Sequence, residues 1–315
     1  MKVRILGSAA GGGVPQWNCG CGNCARARRG ELPQRTQSSI AVGDGDDWML
    51  VNAAVDLPRQ LAAMPQLWPN ALRATPFRAV LLTDGNVDHT AGLGELRQGP
   101  DAFAVVSSAA TKSLLASERA YERFDRDPHH WIAAEPDGSN VASQIHPSIA
   151  RRFEVAAYDV PGLLPGYAGR TTWRGAVVAY RIRDRASGAN VVVAPVYSAI
   201  DQTLERLIEN ADLALLDGTF FSEDELQSLG LPAKPASAMG HLAVGGAGGT
   251  LERVAAVGRN CVLVHVNNTN PILDPASQAF AAVARAGVRV AMDGDVFDPC
   301  HPERSAIGAQ SKDRL

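Results

Sequence analysis

The sequence predicts an α/β (α+β) fold in which two mixed β-sheets pack face to face with helices outside, an αββα sandwich. Two observations carry this expectation. Hairpin-type strands occur in both halves of the chain, joined by polar turns at "GDGDD" and "RDRASG". Helical stretches are mixed among them, so strand and helix do not alternate throughout as they would in a simple parallel sheet.

Taken in order, "KVRIL" reads as the first strand, because its apolar stretch is shorter than the roughly 7 to 15 residues of a signal-peptide core. "SSIAV" and "WMLVNA" follow, and Asp44-Gly45 between them is a tight-turn pair that makes a hairpin. Helix "LPRQLAAM", strand "AVLLT", strand "FAVV" and helix "AATKSLLAS" come next. Residues 118–150 are polar and weakly periodic, and read as a lid or as a surface excursion. In the second half, "GAVVAYRI" and "ANVVVAPV" are strands, and "DQTLERLIEN" is a helix with Asp201 as its cap. Strand "DLALLDG", helix "SEDELQSL", strand "CVLVHV", helix "PASQAFAAVARAG" and strand "VRVAM" complete the pattern. The expected organisation is one domain over residues 1–296, with a Cys-bearing loop at 18–25, and a polar tail over 297–315.

Bulk properties narrow the function. A chain of 315 residues with 46% hydrophobic content buries roughly three quarters of its unfolded surface, so its stability does not call for disulfides. The formal charge of −3 argues against nucleic acid as a partner, because that needs a basic face. No apolar run reaches the roughly 18 residues of a membrane span, and the expected location is the cytoplasm.

Chemistry is expected where apolar strands end in loops. "LLTDGNVDHTAG", "LALLDGTF" and "VLVHVNNTNP" each stop at an Asp or a His. One such end alone reads as a helix cap or a turn. Three in one chain, with His89 and His265 among seven histidines, point to a metal. His241 in "AMGHLAVGG" is a fourth candidate, while His129, His130, His146 and His301 carry less.

Cys19, Cys21 and Cys24 form a C-x-C-x-x-C cluster, suited to one tetrahedral Zn(II) of structural type. Cys261 and Cys300 qualify as a fourth ligand by residue type alone. "GSAAGGGVPQWNCGCGNC" fits neither phosphate-loop template. Gly11 to Gly13 are expected to let the backbone turn tightly and approach the metal pocket.

The order "TDGNVDHTAG", "LLDGTF", "MGHLA", "HVNNTNP" resembles the metallo-β-lactamase superfamily. "ILGSAAGGGVPQWNCGCGNC", "RTQSSIAV" and "HVNNTNPIL" resemble, more narrowly, the pyrroloquinoline quinone biosynthesis protein B family, over about residues 1–296. The resemblance implies a site that has lost half of a two-metal centre. Asp84 and Asn86 stand where the superfamily has two histidines, and "TTWRGAVVAY" lacks a third. Asp88, His89 and His265 remain as ligands of one metal, with Asp217 as an extra or outer ligand. Two imidazoles and a carboxylate leave positions open on the other side, as in non-heme Fe(II) oxygenases. Paired-metal hydrolysis needs a second ion roughly 3.5–4 Å away.

The resemblance therefore implies Fe(II) in the active site, structural Zn(II) at the cysteines, and dioxygen-dependent hydroxylation of a tyrosine-like ring in a small peptide- or amino-acid-derived substrate. His241, Asp217 and Asp84 are the expected catalytic side chains, with His241 handling a proton or the phenol. A phosphodiesterase-like hydrolase and a non-enzymatic quinone carrier are the alternatives. Related phosphodiesterases close the thiolate site with a His three residues after the last active-site His, and Asn268 occupies that position here. "NAAVDL" and "APVYSAI" depart from the family's usual wording beside the pocket, so the aromatic substrate is left open. Oligomeric state is open too, a homodimer being one option.

Overall fold

The computed structural model describes residues 1–255 and 260–301. Its first sheet contains β1 (Lys2–Gly7), β2 (Ser39–Asp44), β3 (Asp47–Val51), β4 (Phe77–Leu81), β5 (Ala104–Ser107) and β6 (His130–Ala133). The second contains β7 (Asp137–Asn140), β8 (Phe153–Asp159), β9 (Val178–Asp184), β10 (Asn190–Ala194), β11 (Leu213–Asp217), β12 (Cys261–Val264) and β13 (Arg289–Val290). A last strand, β14 (Val296–Phe297), returns to the first sheet beside β1. The orders are β14-β1-β2-β3-β4-β5-β6 and β13-β12-β11-β10-β9-β8-β7. Each sheet is half antiparallel hairpins and half parallel crossovers, the mixture expected from the sequence.

Both faces of each sheet are apolar because both are covered. On β11, Leu213 and Leu215 point into the core between the sheets, with Val3, Met49, Leu81, Phe153 and Val191. Ala214 and Leu216 point the other way, under the helix Gln202–Glu209 through Leu204, Leu207 and Ile208. Asp201 caps that helix, accepting the Leu204 N–H at 2.8 Å. The first sheet's outer face packs on Leu57, Leu93, Leu115 and Phe124. Helix, sheet, sheet and helix thus form four layers. Among the described residues no helix is long and apolar enough to cross a membrane.

Two expectations need correction. Residues 118–150 are not a lid. They supply β6 and β7, the edge strands that continue the two sheets, and bury Phe124, Trp131 and Ile132. His129 is buried against Phe103 and Phe124, away from the metal centre, while His130 gives its Nε2 to the Gln144 carbonyl at 2.8 Å. The domain also does not stop at residue 296. Val296 and Phe297 pair with Arg4 and Val3, and Lys2 meets Asp298 at 2.6 Å. The rest of the expected tail, 302–315, lies outside the described residues.

Candidate metal centre

Parallel strands place their C-terminal ends on one edge, where the following loops meet. β4 runs into residues 82–89, β11 ends at Asp217, and β12 is followed at once by His265. These loops bring Asp88, His89 and His265 together, one ligand atom from each lying within 4.8 Å of the others. The Asp88 Oδ2 atom is 3.1 Å from His265 Nε2 and 3.9 Å from His89 Nε2. Ligands of a metal ion bound at about 2.0–2.2 Å stand roughly 3–3.5 Å apart, so little adjustment is needed.

Each imidazole is oriented from behind. His89 Nδ1 is 2.7 Å from Asp84 Oδ2, and both side chains are fully buried. That contact keeps the proton on Nδ1 and turns Nε2 toward the site. His89 Nε2 is buried and has no hydrogen-bond partner among the described residues, Asp88 Oδ2 being 3.9 Å away. A buried imidazole nitrogen without a partner, facing a carboxylate and a second imidazole, fits a metal ion and little else. Burial pulls the His89 pKa down, but Asp84 and Asp88 outweigh it and carry it up to about 9. The same imidazole outweighs the upward push of burial on Asp84 and Asp88 and holds both carboxyls below their usual range.

His265 has its Nδ1 2.7 Å from Thr219 Oγ1, and its backbone is left-handed at φ 57°. A non-glycine residue held there is strained, and such strain persists only where the surroundings fix it. Here the fixing is explicit. Thr219 Oγ1 also donates to the His265 carbonyl, and Val266 forms a bridge with Ala9.

Asp84 and Asn86 do not face a second ion. Asp84 Oδ1 accepts both the backbone N–H and the side-chain amide of Asn86, each at 2.8 Å, and Oδ2 is taken by His89 and Thr83. Asp84 lies behind His89, outside the residues that line the cavity, where it orients that imidazole. Asp217 also stands behind an imidazole. Its Oδ1 accepts from Thr219, and its Oδ2 meets His241 Nδ1 at 2.7 Å and the Tyr197 N–H. Asp217, His241 and His265 form a second group of potential ligands, but His265 Nε2 is already committed toward Asp88. One ion is the arrangement these contacts support.

A cavity of about 180 Å³ opens over these residues. His241 stands at its wall, with Nδ1 on Asp217, its ring stacked at 5.7 Å on His265 and edge-on to Phe220. Leu163–Gly166, Arg170, Val196 and Asn267 also line the cavity, with Leu163 against Gly240. Of these, Val196 in "APVYSAI" and Asn267 in "HVNNTNP" lie in motifs visible in the sequence, whereas Leu163–Gly166 and Arg170 carry no such signal. Residues 52–57 do not reach the cavity. Gly11 does: a Cβ there would stand 3.1 Å from Asp88 Oδ2, and Gly12 and Gly13 have φ of 93° and 68°, conformations that suit glycine.

The three thiols form a second cluster, also within 4.8 Å. Asn268 sits over it, with Nδ2 at 3.0, 3.6 and 3.3 Å from the sulfurs of Cys19, Cys21 and Cys24. Cys261 is buried in β12 and Cys300 bonds Ser187, so neither closes the cluster. A half-turn of the Asn268 amide puts Oδ1 in the fourth position, since O and N are assigned from hydrogen bonding alone. The donor set, three thiolates and one amide oxygen, fits a tetrahedral Zn(II). Burial pushes the Cys21 thiol up to about 11, so a cation there must displace its proton.

Residues 47–266 match the β-lactamase superfamily domain. Coenzyme PQQ synthesis protein B of Cupriavidus taiwanensis is 39% identical over 93% of this chain and 97% of its own. The protein of that name from Methylobacterium radiotolerans is 39% identical over 93% and 98%. The crystal structure of Zn(2+)-bound PqqB from Methylobacterium extorquens superposes with a TM-score of 0.84 at 35% identity, over 95% of this chain and 100% of that one. A diphosphatase of the PhnP family, at 14% identity and TM-score 0.66 over 94% and 96%, shares the fold. With both sequence and architecture matched along nearly its whole length, the chain belongs to the coenzyme PQQ synthesis protein B family of the β-lactamase superfamily.

Proposed function

We propose that the protein is an Fe(II)- and O2-dependent hydroxylase that acts on a tyrosine-like ring of a peptide-derived precursor in the synthesis of pyrroloquinoline quinone or a related cofactor. The observation that carries this reading is the donor set: one carboxylate and two imidazoles, Asp88, His89 and His265, with Asp84 and Asn86 bonded to each other where a second ion would need ligands. Relatives named for coenzyme PQQ synthesis support the pathway, and a zinc-bound relative supports a metal at this fold.

Asp88, His89 and His265 would hold the iron, which when bound activates dioxygen for attack on the ring. The remaining work falls to the chain. Asp84 and Thr219 fix the two imidazoles. Asp217 holds His241 by Nδ1, leaving Nε2 on the cavity side to accept the proton of a phenol. Leu163, Leu164 and Phe220 supply apolar walls for a ring and exclude water. At the thiol cluster, Cys19, Cys21, Cys24 and Asn268 would hold structural Zn(II), tying the N-terminal loop to the loop that carries His265.

The test is oxygen uptake by iron-loaded protein with a tyrosine-containing peptide and a two-electron reductant, since one oxygen atom enters the ring and the other leaves as water. Uptake coupled to a hydroxylated product is expected. Oxygen-independent turnover of a phosphodiester by zinc-loaded protein, without ring oxidation, would overturn the proposal.

A further inference from the structure

We propose that Arg170 selects the substrate through a carboxylate, so that the ligand is a free aromatic amino acid or a C-terminal aromatic residue. This rests on the reading that an aromatic ring occupies the cavity.

Arg170 is the one lysine or arginine among the residues lining the cavity, and it forms no ion pair with a carboxylate among the described residues. Its backbone is left-handed at φ 50°, a conformation that costs a non-glycine residue free energy and points to a constraint other than stability. The guanidinium is nonetheless docked. One Nη donates to the Met239 carbonyl at 3.2 Å, two residues before His241. Its Nε and another Nη lie where a Cβ on Gly166 would approach to 3.3 Å. The exposed group thus sits at the cavity rim between Gly166 and Met239, and most of its five N–H donors remain for a ligand. A planar fork of donors at the rim of a small cavity matches a carboxylate.

A second cavity residue is set for the neighbouring nitrogen. Asn267 donates its Nδ2 to Thr269 Oγ1 at 2.6 Å, and Thr269 donates to Glu225 Oε1 at 2.6 Å. That chain fixes which way the amide faces. Asn267 Oδ1 forms no hydrogen bond among the described residues, so it remains an acceptor at the cavity. A ligand ammonium or amide N–H suits it. The volume of about 180 Å³ is below the roughly 300–1,000 Å³ of drug-sized sites and fits a single residue.

The experiment measures binding of L-tyrosine and tyramine, which differ in the carboxylate, to zinc-loaded protein by calorimetry without oxygen. Wild type is expected to prefer L-tyrosine. Arg170→Gln should weaken L-tyrosine about tenfold, the loss of one charge-assisted hydrogen bond, and change tyramine less than about twofold. Arg170→Lys should restore part of the preference, and both variants should melt with wild type. A wild type with no preference, or an Arg170→Gln variant that weakens both ligands equally, overturns the proposal. Because no turnover is read, failure of the oxygen assay with this preference intact would remove the hydroxylase reading alone.

Discussion

The two donor clusters meet at one loop, which gives His265 to one and Asn268 to the other, and they are built in opposite ways. The thiols come from residues 19–24, so a single short turn brings them together. The carboxylate–imidazole centre joins residues 177 positions apart, Asp88 and His265, and exists only once both sheets are formed. The thiol cluster is closed by Asn268, whereas the other faces a cavity. Closed donor sets suit structural metal and open ones suit catalytic metal. His265 and Asn268 are three residues apart, so the closed cluster anchors the loop on which the open one depends.

The largest expected effect separates the clusters outright. His89→Ala removes a ligand of the open centre and leaves the thiols untouched. Metal content should fall from two ions per chain to one, and turnover should drop by roughly 10³-fold, the scale of several kcal/mol of metal stabilisation. Loss of both ions in elemental analysis would show that the clusters are not independent.

Asp84→Asn probes orientation without removing a ligand. The amide would present a donor to His89 Nδ1, pushing the imidazole proton toward Nε2, the atom that must stay free for metal. Metal affinity at the open centre should fall about 10- to 100-fold, as for other supporting groups behind a metal-bound His. A competition titration with a chelator checks this, and unchanged affinity would return Asp84 to a bystander role.

Cys24→Ser breaks the closed cluster. Cys24 is fully buried and its sulfur meets both Gln16 N–H and Asn268. Without the thiolate the zinc is lost, and the tether to residues 268–270 is reduced to the Asn23 hydrogen bonds to the Asn268 and Asn270 carbonyls. A fall in Tm of roughly 3 °C is expected, equivalent to about 2 kcal/mol in a chain of this size. Turnover should fall only a few-fold, because Thr219 and Ala9 still hold the His265 loop.

The same contrast explains what the sequence could disclose. The cysteine cluster is written in consecutive letters, and so is the Asp88–His89 pair at the end of "AVLLT". His241 and His265 were readable because each sits in a distinctive turn. The roles of Asp84 and Asp217 were not, since a carboxylate one bond network behind a metal looks in sequence like a carboxylate on it. Arg170, Thr219 and Asn267 lie in loops whose placement depends on elements far along the chain. In the fold, β7 ("DGSN") has no strand-forming residues and exists because β8 offers it an edge. β8 itself, "FEVAAYD", has strand formers in Phe153, Val155 and Tyr158 but is interrupted by two alanines at its centre.

The smallest effect concerns the shared loop just past Asn268. Glu225 is buried beneath Thr269, and burial pushes its pKa up from 4.5 to about 7. A carboxyl with a raised folded-state pKa binds its proton more tightly in the folded chain than in the unfolded one. Stability therefore falls as pH rises from about 4.5 toward 7 and levels off above that, where both states are ionised. Glu225→Gln should flatten this part of the urea-midpoint profile between pH 5 and 8. Its amide carbonyl can keep the Phe221 N–H, and its amide N–H can donate to Thr269 in place of accepting from it. Since no donor atom of either cluster changes, metal content should stay at the wild-type value. If the ion at the open centre were lost as well, the loop would depend on Glu225 as much as on the cysteines, and the division between anchored and anchoring cluster would have to be redrawn.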